Sequence, residues 1–181
     1  MEQAGNTLLV GEGNLSFACS LINMPSAGLT RVVATVFEPV SKLSEETIQN
    51  AQWIKCCGGH ILYDIDATKL DSAFPKQKFD TIIFQFPNVG SRESKYGHTS
   101  NHVMVRKLLR AAKLCLDMHG KVLLTLVDNP HYRGIFKQMR RQSLLDIKRL
   151  IVIHLTHQNL EDTLTPIQMM MIARRRIITV L

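Results

Sequence analysis

The feature that most constrains this chain is an alternation. Five short apolar runs, each closed by glycine, an acid or proline, are separated by segments whose apolar residues keep helical spacing. Residues 7–10 run into Gly11-Glu12-Gly13, 32–37 into Glu38-Pro39, 60–65 into Asp66-Ala67, 79–86 into Pro87-Asn88-Val89-Gly90, and 121–127 into Asp128-Asn129-Pro130. Runs this short, bounded by turn residues, read as buried strands. Between them, 14–22, 42–57 and about 100–118 read as helices, with Asn14 or Ser16 to cap the first and Gly120 to end the last. In the third helix Met104, Leu108, Ala111, Cys115 and Met118 share one face, and Arg106, Arg110, Lys113 and Asp117 the other. Parallel strands need helical crossovers, so the pattern predicts an open α/β fold. Residues 150–155 and 167–173 read as two further strands, and their short connection makes them an antiparallel hairpin. The expected molecule is one domain over 1–181, a mostly parallel seven-stranded sheet with helices on both faces and that C-terminal hairpin.

At 181 residues, 45% hydrophobic and 20% charged, the chain is neither wholly disordered nor a fibrous repeat. No apolar stretch approaches the ~20 residues of a membrane helix, and MEQAGNTLL lacks the basic-then-apolar layout of a signal peptide. Cys19, Cys56, Cys57 and Cys115 form no CxxC pair, so no disulfide framework is expected and a reducing compartment is the default. The net charge of +7 favours a polyanionic partner. Its distribution is uneven: residues 1–130 hold 13 Lys/Arg against 12 Asp/Glu, and 131–181 hold 9 against 3. If 133–149 is helical, Arg133, Lys137, Arg140, Arg141 and Lys148 fall in one stripe, away from Phe136, Met139, Ser143 and Ile147. That stripe is either a solvated face or an RNA-contacting one, and both readings stay open.

Ligands of open α/β sheets collect beyond the carboxyl ends of the strands. Here those ends carry Gly11-Glu12-Gly13, Glu38, Asp66 and Pro87-Asn88. Glycines at 11 and 13 let a ligand approach the backbone, and Glu38, about 25 residues on, has the place of a ribose-binding acid. A dinucleotide fits poorly, because Ser16 stands where the third glycine of GxGxxG would fall and Glu12 would face a pyrophosphate. No GKS/T sequence is present, which excludes a P-loop. S-adenosylmethionine (SAM) fits better: it has no phosphate, carries a sulfonium, and offers a ribose to Glu38 and an adenine to Asp66. Its carboxylate is expected near the helix N-terminus at Asn14.

Gly11-Glu12-Gly13-Asn14-Leu15-Ser16-Phe17 resembles the GEGN/D-F-SF signature of the ribosomal-RNA uridine-N3 methyltransferase family, a branch of the SAM-dependent methyltransferases. Asp66-Ala67-Thr68-Lys69-Leu70 is similar to its DAT-x-L, and the segment 79–90, Phe79-Asp80 through Pro87-Asn88-Val89-Gly90, to its FD-x-I-x-FNFPH-x-G. Ala34-Thr35, Asn101 and the run 122–126 continue the pattern, which covers about 7–133. Asn88 stands where the family usually shows His, Gln85 where it shows Asn, and Glu38 near an expected Asp; the Trp after Pro130-His131-Tyr132 is absent. The resemblance implies a Rossmann-like class I methyltransferase fold, SAM as cofactor, RNA of the large ribosomal subunit as substrate, and a nuclear or nucleolar location. It implies cofactor contacts from Gly11, Glu12, Gly13, Asn14, Glu38, Asp66, Ala67 and Gln85. Pro87 and Asn88 become the target-base pocket, with His131 or Tyr132 assisting loss of the N3 proton.

Each of these residues also has a plainer reading. Pro87-Asn88 is a common turn pair, Glu38 and Asp66 can be capping acids, and His131 can be a surface residue. His98 and His102 stand four apart, but without a carboxylate or cysteine at ligand spacing no metal is expected. Two rival functions follow: a methyltransferase fold that binds RNA or a protein without catalysis, and a nucleotide-dependent oxidoreductase.

Overall fold

The computed structural model describes residues 5–24, 28–89 and 100–127, and the backbone of 150–155 and 178–180. Five parallel strands form its body: β1 (Gly5–Val10), β2 (Leu29–Thr35), β3 (His60–Leu62), β4 (Phe79–Gln85) and β5 (Leu116–Val127). They lie in the order β3-β2-β1-β4-β5. Beyond them β6 (Leu150–Leu155) runs parallel to β5, and β7 (Ile178–Val180) antiparallel to β6. The expected hairpin arm, 167–173, lies outside the described residues; the strand seen beside β6 is a different, later segment.

Among the described residues four helices flank the body: α1 (Ser16–Ile22), α2 (Glu45–Cys56), α3 (Leu70–Ala73) and α4 (Ser100–Cys115). Strand alternation assigns them to faces. Leu9, Val32, Ala34 and Ile83 pack with Leu21 of α1 and Ala51 and Ile54 of α2. Their sequence neighbours Leu8, Val10, Val33, Ile82 and Phe84 pack with Leu70 of α3 and Leu108 and Ala112 of α4. Successive side chains of a strand point to opposite faces, so near-continuous apolar runs fill two cores at once. Leu8, Leu9, Ile54, Leu108 and Leu124 are fully buried, each stabilising the fold by roughly 1.5–3 kcal/mol.

The helix ends follow local chemistry. Ser44 caps α2, its Oγ accepting from the Thr47 N–H at 3.2 Å, and Glu45, Glu46 and Lys55 complement the dipole. The third expected helix is three residues shorter than its periodicity suggests. Leu116 pairs with Phe79, which draws 116–120 into β5, and the Lys78 ammonium donates to the Leu114 carbonyl at 2.6 Å near the end of α4. Met118, placed on the buried face by spacing, is therefore 74% exposed. The third strand is also shorter than expected: it stops at Leu62, and Asp64 takes a left-handed φ of 58°. The one-turn helix α3 and the 3-10 turns Val40–Lys42 and Ala67–Lys69 have no counterpart in the sequence reading.

The chain order reverses between β1 and β4: crossovers lead from β1 outward through β2 to β3, then return to β4 on the other side. A crevice opens at the carboxyl ends of strands at such a switch point.

Candidate functional site

A cleft of about 660 Å³ occupies that crevice, a size suited to a small-molecule ligand. Gly11, Glu12 and Gly13 line it from the tip of β1, Phe37 and Glu38 from beyond β2, and Ile65 to Thr68 from beyond β3. Phe84, Phe86, Asn88 and Val89 close it from β4, and Ser100, Val103, Met104 and Lys107 from α4. Seven residues expected at the site therefore meet there: Gly11, Glu12, Gly13, Glu38, Asp66, Ala67 and Asn88.

The glycine turn is shaped by two different demands. Gly11 has φ +65°, and a Cβ on it would lie 2.5 Å from the Phe84 ring, so only glycine fits. A Cβ on Gly13 would meet nothing within 4 Å. The first glycine is required by packing, while the second leaves room over the backbone.

Glu12 is 7% exposed although it lines the cleft. Its N–H donates to the Thr35 carbonyl at 2.9 Å, and its Oε2 accepts from the Ala18 N–H at 3.2 Å. The residue preceding α1, Leu15, is left-handed with no side-chain cap, so Glu12 serves the first turn from outside. Burial pushes its carboxyl from an ordinary 4.5 up to about 7, against the lowering effect of the Ala18 bond. Asp66 caps the turn Ala67–Lys69, its Oδ1 accepting from the Thr68 N–H at 2.8 Å and hydroxyl at 2.7 Å. Burial alone would raise this carboxyl; the Thr68 bonds and the Lys69 ammonium, 3.7 Å from Oδ2, outweigh it and hold it below the usual value. Glu38 is exposed at the rim, beside an equally outward Phe37.

The β4 tip is held on both sides of Asn88. Phe86 has a left-handed φ of 48°, rare for an aromatic residue, and its N–H donates to the Thr125 carbonyl at 2.9 Å. The Val89 N–H donates to Asn101 Oδ1 at 2.9 Å, tying the segment to α4. Strain of this kind concentrates where surrounding structure holds a functional segment in place.

Three expected contacts do not line the cleft. Asn14 turns to α2: its Nδ2 donates to Glu46 at 3.0 Å, its carbonyl accepts from Asn50 Nδ2 at 2.7 Å, and its Oδ1 accepts from the Ser16 N–H at 3.2 Å. With Ser16 and Ala18 N–H groups engaged by Asn14 and Glu12, the start of α1 is less open to a ligand carboxylate than the sequence suggests. Gln85 is half-buried in β4, paired with Thr125, and Pro87 is buried beneath the tip. His131 and the basic set Arg133, Lys137, Arg140, Arg141 and Lys148 lie outside the described residues. The sequence reading missed the α4 wall. Ser100, Val103, Met104 and Lys107 keep the i, i+3, i+4, i+7 spacing of one helix face, and that spacing was the available signal. Lys107 is the cation lining the cleft among the described residues. Among those residues no group of three or more His, Cys, Asp or Glu is placed to hold a metal, and no helix is long and apolar enough to cross a membrane.

Comparison with known proteins agrees with this architecture. A proposed short-chain alcohol dehydrogenase from Burkholderia multivorans superposes with a TM-score of 0.51 over 84% of this chain and 82% of its own, at 11% identity, a likeness of fold alone. A mouse protein named Ferredoxin-fold anticodon-binding domain-containing protein 1 homolog is 34% identical over 125 residues, covering 66% of this chain and 19% of its own length. An uncharacterised Arabidopsis thaliana protein is 30% identical over 128 residues, covering 65% of this chain and 61% of its own. This chain thus spans about a fifth of the mouse relative and three fifths of the plant one. The match that decides the family extends over residues 8–162, across the cleft and most of the sheet: the chain belongs to the BMT5-like family, described as rRNA (uridine-N3-)-methyltransferase BTM5-like.

Proposed function

We propose that this domain is a SAM-dependent RNA methyltransferase acting on N3 of a uridine in large-subunit ribosomal RNA. The observation that carries the reading is a convergence. The glycine signature at 11–13 and the Phe86–Val89 segment lie more than seventy residues apart in the chain, yet they line one cleft together with Glu38 and Asp66.

The residues present suit SAM. The open space over Gly13 admits a ligand against the backbone, and Glu12 and Glu38 provide acids for a cationic amino-acid nucleoside. In this reading Glu38 accepts from the ribose hydroxyls, Asp66 and Ala67 border the adenine, and Phe37 covers it from the rim. When bound, SAM supplies an electrophilic methyl group together with its own leaving group. The protein's task is then alignment, which is worth ~7–11 kcal/mol when the reacting atoms are near attack. Asn88, held between the Phe86 and Val89 hydrogen bonds, presents an amide that matches the donor and acceptor pattern of an imide edge. Lys107 on the facing wall favours the anion left when N3 loses its proton, and His131 is assigned to accept that proton. The basic stretch 133–149 supplies RNA contacts, and the sheet is completed as the seven-stranded methyltransferase form with its C-terminal hairpin. A nucleolar location follows from the substrate.

Thermal melting with SAM and S-adenosylhomocysteine tests the cofactor; Glu38→Ala should remove the stabilisation. Labelled SAM with ribosomal RNA, followed by nucleoside analysis for 3-methyluridine, tests the reaction. One observation favours a second reading, RNA binding without catalysis: Asn88 is a poor base at the position where the family usually shows His. That reading expects salt-sensitive RNA binding and no methyl incorporation. The dehydrogenase-like fold carries no such weight, because buried Glu12 lies where a pyrophosphate would need donors.

A further inference from the structure

Glu12 combines properties that a turn residue does not need. It is 7% exposed, it lines the cleft, and only Oε2 is engaged, by Ala18; Oε1 has no hydrogen-bond partner among the described residues. Its backbone N–H is fixed by Thr35, so the side chain is held at the tip of β1. Among the described residues no lysine or arginine forms an ion pair with it. The groups that face it or share its cleft are the Cys19 thiol on α1, Glu38 beyond β2, Asp66 beyond β3 and Lys107 on α4; from α2, Glu46 is taken up by Asn14.

We propose that Glu12 is the residue by which the cleft tells the sulfonium cofactor from its neutral thioether product. A positive charge arriving at the strand tip draws the proton from the buried carboxyl to solvent; when the methyl group has left and the charge with it, a proton returns. The inference rests on the reading that the cleft takes SAM, and it adds a device for product exchange. The carboxylate that holds the sulfonium form is discharged once that form is spent, so S-adenosylhomocysteine is not retained by the same attraction. The raised titration of Glu12 toward neutrality supports this, because the group can then change state within the physiological range.

The test is calorimetric titration of the whole chain with SAM and with S-adenosylhomocysteine at about pH 5.5 and about pH 7.2, below the usual α-amino range, in buffers of different ionisation enthalpy. SAM affinity should rise about fivefold across this interval with proton release, while that of S-adenosylhomocysteine changes by less than about twofold. Histidines titrating elsewhere act on both ligands alike and cancel in the comparison. Glu12→Gln should remove the difference, and if that variant does not fold, proton release by the wild type decides. Equal pH dependence for both ligands, or a difference that persists in E12Q, overturns the proposal while leaving SAM binding intact. Failure of both ligands to bind at either pH overturns the cofactor reading as well.

Discussion

Gly11 directly follows Val10, the register partner of Phe84 across β1 and β4, and the Phe84 ring fills the space where any side chain at 11 would begin, with a Cβ only 2.5 Å from it. Gly13, two residues on, has open space instead. The two glycines should therefore separate cleanly on substitution. Gly11→Ala combines a left-handed backbone with overpacking and should lose roughly 2–4 kcal/mol in denaturant unfolding. Gly13→Ala should lose less than about 1 kcal/mol yet weaken SAM binding in the melting assay, since its methyl group occupies ligand space. Equal losses of stability would contradict this division.

Glu12 imposes a stability profile of its own. A folded-state value near 7 against an ordinary 4.5 means that the folded chain binds the extra proton between those pH values. Stability on this account is greatest below about pH 4.5 and declines as pH rises toward 7, by up to ~3 kcal/mol. Glu12→Gln keeps an oxygen for the Ala18 N–H and cannot ionise. Its unfolding free energy should match the wild type near about pH 5 and exceed it at about pH 8, as chemical denaturation at the two values will reveal.

Asn14 joins the glycine turn to α2 through Glu46 and Asn50 while capping Ser16. Asn14→Ala should cost ~1–2 kcal/mol of stability. Its SAM affinity, measured by titration on the folded variant, should stay within about twofold of wild type. A collapse of affinity at unchanged stability would return Asn14 to the cofactor site.

Asn101 reaches the β4 tip through a single hydrogen bond to Val89. Asn101→Ala should leave the unfolding free energy within about 1 kcal/mol of wild type. Methyl transfer should fall at least tenfold in kcat with SAM affinity little changed, because a loosened Asn88 loses alignment rather than cofactor. Single-turnover rates alongside cofactor titration separate these effects.

Much of this architecture is written locally. Apolar runs ending in Gly11, Glu38, Asp66 and Pro87 specify strands and the side of the sheet where their tips collect, because turn chemistry and strand period are properties of neighbouring residues. The family signature in 11–17 and 79–90 is local as well. Where the sequence misleads, long-range contact is the cause. Met118 continues a helical stripe, but pairing of Leu116 with Phe79 takes the chain into a strand and turns Met118 to solvent. Asn14 carries the expected cofactor chemistry, but α2 packs close enough to claim it. Sequence by itself determined that acids and glycines would gather at one end of a parallel sheet. Only the tertiary structure decided which of them face the cleft, that α4 brings Lys107 to it and Asn101 to the Val89 backbone, and that Glu12 is dry enough to hold its proton near neutrality, since burial depends on packing between distant segments.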